Sequence, residues 1–173
     1  ILTLNTTDAT ADNANGYNDT APTSSVFTVH TKNEVNTDAR TYVHYVFAPI
    51  QGYSKFGSYT GNANADGPFV YTGFKTKWLM TRRSNSAGSW TIFDNTLDDN
   101  TSGKHGNPNT QFVQAINDNA EATTGANFMD FLSNGFKCRG TDTGTNGNGD
   151  TYVYMAFAES PFVSSKGVPT TAR

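Results

Sequence analysis

Hydrophobic positions in this chain fall in short alternating runs, cut every few residues by clusters of Gly, Asn, Asp and Pro. Such runs put successive side chains on opposite faces of a pleated strand. They predict strands at Val26–Thr31, Thr41–Ala48, Tyr53–Thr60, Phe69–Thr72, Lys75–Arg82, Ser89–Asp94, Phe128–Leu132, Gly135–Arg139 and Thr151–Ala158. Alternation sets Trp78 and Met80 on one face, with Lys77 and Leu79 on the other, and pairs Trp90 with Ile92. Helical periodicity is nearly absent. Its one candidate is Asn109–Ala122, through Phe112, Val113, Ala115 and Ile116, for one or two turns at most. The pattern predicts an all-β chain, an antiparallel β-sandwich.

The run Thr41-Tyr-Val-His-Tyr-Val-Phe-Ala48 matches Thr151-Tyr-Val-Tyr-Met-Ala-Phe-Ala158. Upstream, Val26-Phe-Thr-Val29 corresponds to Gly135-Phe-Lys-Cys138, and a polar loop joins the two runs each time. The copies lie about 110 residues apart, the length of one small sandwich. Residues 51–160 are therefore expected to form one complete sandwich. Residues 1–48 are expected to be the closing half of a preceding unit, and 161–173 an extended C-terminal tail. A chain opening on Ile1 lacks a start methionine, so its native N-terminus is expected elsewhere.

Composition narrows the chemistry. Twelve Phe, eight Tyr and two Trp supply too much ring surface for a disordered chain. Charged residues make up 16% of the sequence, against roughly 25% in ordinary soluble domains. The net charge is -3, and Arg82-Arg83 is the only basic pair that stands out, so nucleic-acid binding lacks its electrostatic ingredient. No apolar run approaches the length of a membrane span. The single cysteine, Cys138, excludes an intrachain disulfide and reads as a small buried residue.

No nucleophile elbow is present, and His30, His44 and His105 fall in two predicted strands and a loop. Glycoside hydrolysis needs two facing carboxylates. The only glutamates, Glu34, Glu121 and Glu159, are far apart in sequence, and Asp94, Asp98 and Asp99 read as turn residues. No catalytic residue is assigned, and the chain is expected not to be an enzyme. Oxygen donors gather at Asp142, Asn146, Asn148 and Asp150, a flexible set suited to calcium, with Asp98-Asp99-Asn100 a second such set. A hairpin loop, in which the Asn-Gly steps supply positive φ, is the simpler account of the first set. Six rings, Tyr53, Phe56, Tyr59, Phe69, Tyr71 and Phe74, sit among Gly, Asn and Thr. Aromatic faces stack on sugar rings, and neighbouring amides bond the hydroxyls. Tyr53, Phe56, Tyr59 and Tyr71 are the candidate glycan-binding residues.

The segments Gly52–Asn62, Asp66–Phe74, Gly88–Asp94, Asp130–Lys137 and Thr151–Phe162 together resemble a domain family near the C-terminal ends of bacteriophage tail and tail-fibre proteins. The resemblance spans residues 51–173, and 1–48 resembles the end of a preceding copy. That family is similar in architecture to concanavalin-like, laminin-G-like jelly rolls, and it brings no catalytic residues with it. The resemblance implies a jelly-roll sandwich acting as a structural and adhesive virion component. A tail fibre or tail tip that contacts host surface glycan is its expected setting. Its expected partners are other virion proteins and further copies of itself, as a trimer or another homo-oligomer. A capsid decoration or head-fibre protein is the structural alternative, and a polysaccharide depolymerase the enzymatic one.

Overall fold

Each alternating run becomes a strand where a second run lies alongside to take its backbone hydrogen bonds. A computed structural model describes residues 1–97, 107–115, 122–123 and 129–160. Along these residues the chain forms one short helix, α1 (Ala14–Tyr17), and the strands β1 (Ser54–Thr60), β2 (Phe69–Tyr71), β3 (Thr76–Arg83), β4 (Thr91–Asp94), β5 (Gln111–Gln114), β6 (Ala122–Thr123), β7 (Met129–Leu132), β8 (Gly135–Cys138) and β9 (Thr151–Ala158). Every strand pairing is antiparallel. One sheet runs β1-β9-β3-β4-β5-β6, and the other β2-β8-β7. The fold is therefore the all-β, two-sheet sandwich that the alternation predicts.

Strand β9 is the spine of the larger sheet. It pairs along its length with β1 on one side and with β3 on the other. Its residues alternate: Tyr152, Tyr154 and Ala156 point into the core, while Val153, Met155 and Phe157 are half-buried on the opposite face. Across from them stand Val70, Met129, Phe131, Phe136 and Cys138 of the smaller sheet. Tyr59 closes this core, stacked on Tyr152 at 5.0 Å and edge-on to Phe136 at 5.8 Å. Gly135 lets β2 and β8 approach, since a Cβ there would collide with the Val70 carbonyl.

Two predicted features differ. The helix candidate at Asn109–Ala122 is instead β5 and β6 over the described residues, with Thr91 and Ile92 of β4 opposite Gln114 and Val113. The apolar pair Phe112-Val113 fits either state, and pairing with β4 decides it. The runs Val26–Thr31 and Thr41–Ala48 form no strand, since neither pairs with a strand among the described residues, and His30 N–H donates to Gly16 O at 2.9 Å instead.

The N-terminal segment is strapped to the larger sheet. Arg82 donates from Nη1 to the Thr3 carbonyl at 2.6 Å and from Nη2 to the Asp8 carbonyl. Its guanidinium lies 5.3 Å from the Trp90 ring centroid, a cation–π contact. Thr10 N–H donates to Ser84 O at 2.8 Å, and Gly88 N–H to Thr7 O at 2.8 Å. Arg82 is fully buried by this strap.

Candidate functional site

The structure separates the four candidate glycan residues. Phe56 and Tyr59 both lie on β1, three residues apart, so pleating sends them to opposite faces. Tyr59 is 8% exposed and belongs to the core, which removes it from any sugar-binding surface. Its hydroxyl donates to the Thr145 carbonyl at 2.8 Å, and burial holds its pKa well above the usual phenol value. Tyr71 is 63% exposed, but it belongs to β2 in the smaller sheet, beside the exposed Phe69. Tyr53 and Phe56 remain together on the larger sheet, and Phe74 is buried.

Around Tyr53 and Phe56 the outer face of the larger sheet builds an aromatic platform. Phe157 of β9 is its hub, with ring centroids 5.8 Å from Tyr53, 6.1 Å from Phe56, 5.6 Å from Trp78 and 6.1 Å from Phe47. Four of these five contributors come from β1, β3, β9 and the turn that enters β1, so a ladder fixes their spacing. Tyr53 is 40% exposed and Phe47 56%. Sequence reading missed Trp78, Phe157 and Phe47, because a platform assembled across strands appears only once register is known. Trp78 already carried a signal, since alternation put it opposite Leu79.

Polar side chains border the platform where β3 begins and β9 ends. Lys75 pairs with Glu159 at 2.7 Å, and Lys77 with Asp94 at 3.3 Å. Asn95 ties the two pairs together, accepting from Lys77 Nζ at 2.5 Å and donating to Glu159 Oε1 at 2.9 Å. The Lys75 hydrogen bond holds the Glu159 carboxyl below its ordinary pKa. For Asp94, burial pushes upward, but hydrogen bonds from Thr96 and the Lys77 ammonium outweigh it and the pKa is lowered. A β-bulge between Thr76 and Trp78 frees Lys77 from strict alternation to reach this cluster. The rim thus offers fixed carboxylate, amide and ammonium groups beside exposed rings.

The oxygen-rich loop is a clasp between strands. Asp142 Oδ1 accepts from Gly144 N–H at 2.6 Å. Asn146 is fully buried. Its Oδ1 accepts from Asn62 N–H at 2.9 Å, and its Nδ2 donates to Asn64 O at 2.9 Å and Gly140 O at 2.8 Å. Asp150 pairs with Arg83 at 3.0 Å, and Asn148 is exposed. Three of the four donors thus already serve protein partners. Among the described residues no group of three His, Cys, Asp or Glu could hold a metal. Asp98, Asp99, Asn100 and His105 lie outside the described residues. His44 packs against Phe27 with ring centroids 5.1 Å apart, and His30 Nδ1 meets Thr31 Oγ1 at 3.1 Å.

Among the described residues no helix is long and apolar enough to cross a membrane. No curated protein and no solved structure matches this chain. One family model does match it, over residues 1–161, so this chain belongs to the family described as Domain of unknown function DUF7483.

Proposed function

We propose that this chain is a structural and adhesive module of a phage virion, a jelly-roll sandwich in a tail fibre or tail tip that holds host surface glycan on its outer sheet face. The aromatic platform of Tyr53, Phe56, Trp78 and Phe157 carries the adhesive part of this reading. The exposed Tyr53 ring, with the half-buried Phe56, Trp78 and Phe157 packed around it, offers a stacking surface for the apolar face of a sugar. The adjoining Asp94, Asn95 and Glu159 supply acceptors and donors for hydroxyls. The virion setting rests on the sequence resemblance at residues 52–62, 66–74, 88–94, 130–137 and 151–162.

The test is a glycan array and whole-cell binding, with and without calcium, on the wild type, Tyr53→Ala and Tyr71→Ala. Saturable binding to one glycan class is expected, weakened about tenfold by Tyr53→Ala, equivalent to about 1.4 kcal/mol. Tyr71→Ala, on the other sheet, should leave it unchanged. Equal loss in both variants would place the glycan elsewhere. Absence of binding to any glycan or cell would leave a purely structural virion role, as in capsid decoration.

A further inference from the structure

Residues 26–48 repeat the main hydrogen bonds of the loop that carries the chain from β8 in one sheet to β9 in the other, yet the runs flanking that loop pair with no strand among the described residues. In the complete unit, Asn146 N–H and Thr145 N–H donate to Asp142 O at 2.7 and 3.2 Å; in the first copy, Asn36 and Val35 donate to Lys32 O at 2.9 and 3.0 Å. Asp150 N–H to Gly147 O and Arg40 N–H to Thr37 O are both 3.2 Å. The Tyr152 hydroxyl accepts from Gly147 N–H at 2.7 Å and donates to Thr143 O at 2.6 Å. The Tyr42 hydroxyl accepts from Thr37 N–H at 2.8 Å and donates to Asn33 O at 2.5 Å. The turn residue has φ 72° at Gly149 and φ 58° at Ala39. The contact between the two layers is repeated too, Phe136–Tyr154 at 5.2 Å and Phe27–His44 at 5.1 Å.

What the first copy lacks is everything that β1 and β3 supply to β9. Ala156 is fully buried, while its counterpart Val46 is 71% exposed, and Tyr45 reaches 84%. Tyr59 fills the space over Tyr154 and Phe136. The matching space beside Phe27 and His44 opens into a cleft of about 1130 Å³ that Tyr17 and Val46 also line. Asn146 clasps the loop after β1, whereas Asn36, the same residue at the same place, is exposed and clasps nothing among the described residues. An unpaired alternating strand with a preformed loop and a half-built core is an acceptor for strand addition.

We infer that residues 26–48 are the closing half of a second sandwich, and that residues 41–48 are paired by β1-type and β3-type strands from an adjoining repeat of the same polypeptide. The inference rests on the period of about 110 residues and on the unpaired strand, and it stands apart from glycan binding. A synthetic peptide of residues 52–83, carrying the β1 and β3 sequences, is added to the whole chain while amide hydrogen exchange is followed. The expected result is saturable one-to-one binding and loss of fast exchange at residues 42–48, with the amides of Thr151–Ala158 unchanged. Tyr45→Pro should abolish this and leave the fold intact, because Tyr45 is exposed and its N–H has no partner among the described residues. Binding that leaves residues 42–48 unprotected, or no binding, overturns the inference. So does protection of 42–48 that rises with protein concentration without peptide, alongside a doubled mass, since a second copy would then be the occupant.

Discussion

Single residues in the core carry a measurable signature of burial. Cys138 lies against the Thr145 carbonyl in a fully buried position, and burial pushes its thiol up to about 12. Tyr59, Tyr152 and Tyr154 are raised by burial as well. An unfolded thiol ionises near pH 8.5, so above that pH the unfolded chain gains by ionising while the buried thiol of the folded state stays neutral. That contribution is complete below about pH 8.5 and is lost as pH rises through the folded value. The urea midpoint is therefore expected to fall steadily on the alkaline side. At about pH 8 a thiol reagent should label Cys138 only after denaturation, and rapid labelling of the native protein would mean that β8 opens readily. The sequence identified Cys138 as a buried residue, but it did not sort Tyr59 from Tyr53. Both are tyrosines in a polar stretch, and which ring turns inward depends on where the strand begins.

At the scale of elements, the two copies of one strand–loop–strand segment form an internal control. Asn146 makes three side-chain hydrogen bonds in the core, and Asn36 makes none among the described residues. Replacing Asn146 by Ala leaves the buried Gly140 carbonyl without its partner, at roughly 1–3 kcal/mol. Asn36→Ala should shift stability by under about 0.5 kcal/mol. Denaturant titration of the two variants checks this, and an equal effect would mean that Asn36 is clasped in solution. Most strands were legible from alternation to within a residue or two, as at Thr151–Ala158, because a face buried in a core must repeat with period two. The errors fall where a partner decides the outcome. Thr41–Ala48 has the pattern of β9 without its neighbours, and Gln111–Gln114 is strand because β4 lies alongside. The platform was half legible: Tyr53 and Phe56 were found, whereas Trp78 and Phe157 join them only through cross-strand register.

For the whole molecule, charge is sparse and concentrated where strands end. Glu159, held by Lys75, and Asp94, held by Thr96 and Lys77, both have lowered pKa values. Their stabilisation is present above the ordinary carboxylate range, roughly pH 4 to 5, and is lost as pH falls through the lower folded values. Stability measured by thermal denaturation should hold down to that range and then decline. Glu159→Gln should flatten part of the decline, and an unchanged acid profile would mean that the rim pairs contribute nothing in solution.

The Arg82 strap has a mechanical consequence. Tension applied at Ile1 passes through the guanidinium and the Thr10–Ser84 bond into β3, near the middle of the larger sheet. The chain between Ala11 and Pro49 is short-circuited by this attachment and stays slack while the strap holds. If the strap parts, the span ahead of the first copy, residues 11–25, pays out first, on the order of 50 Å at about 3.4 Å per residue. It would act as a shock absorber in series with the sandwich, lengthening under a pull before any core strand is sheared.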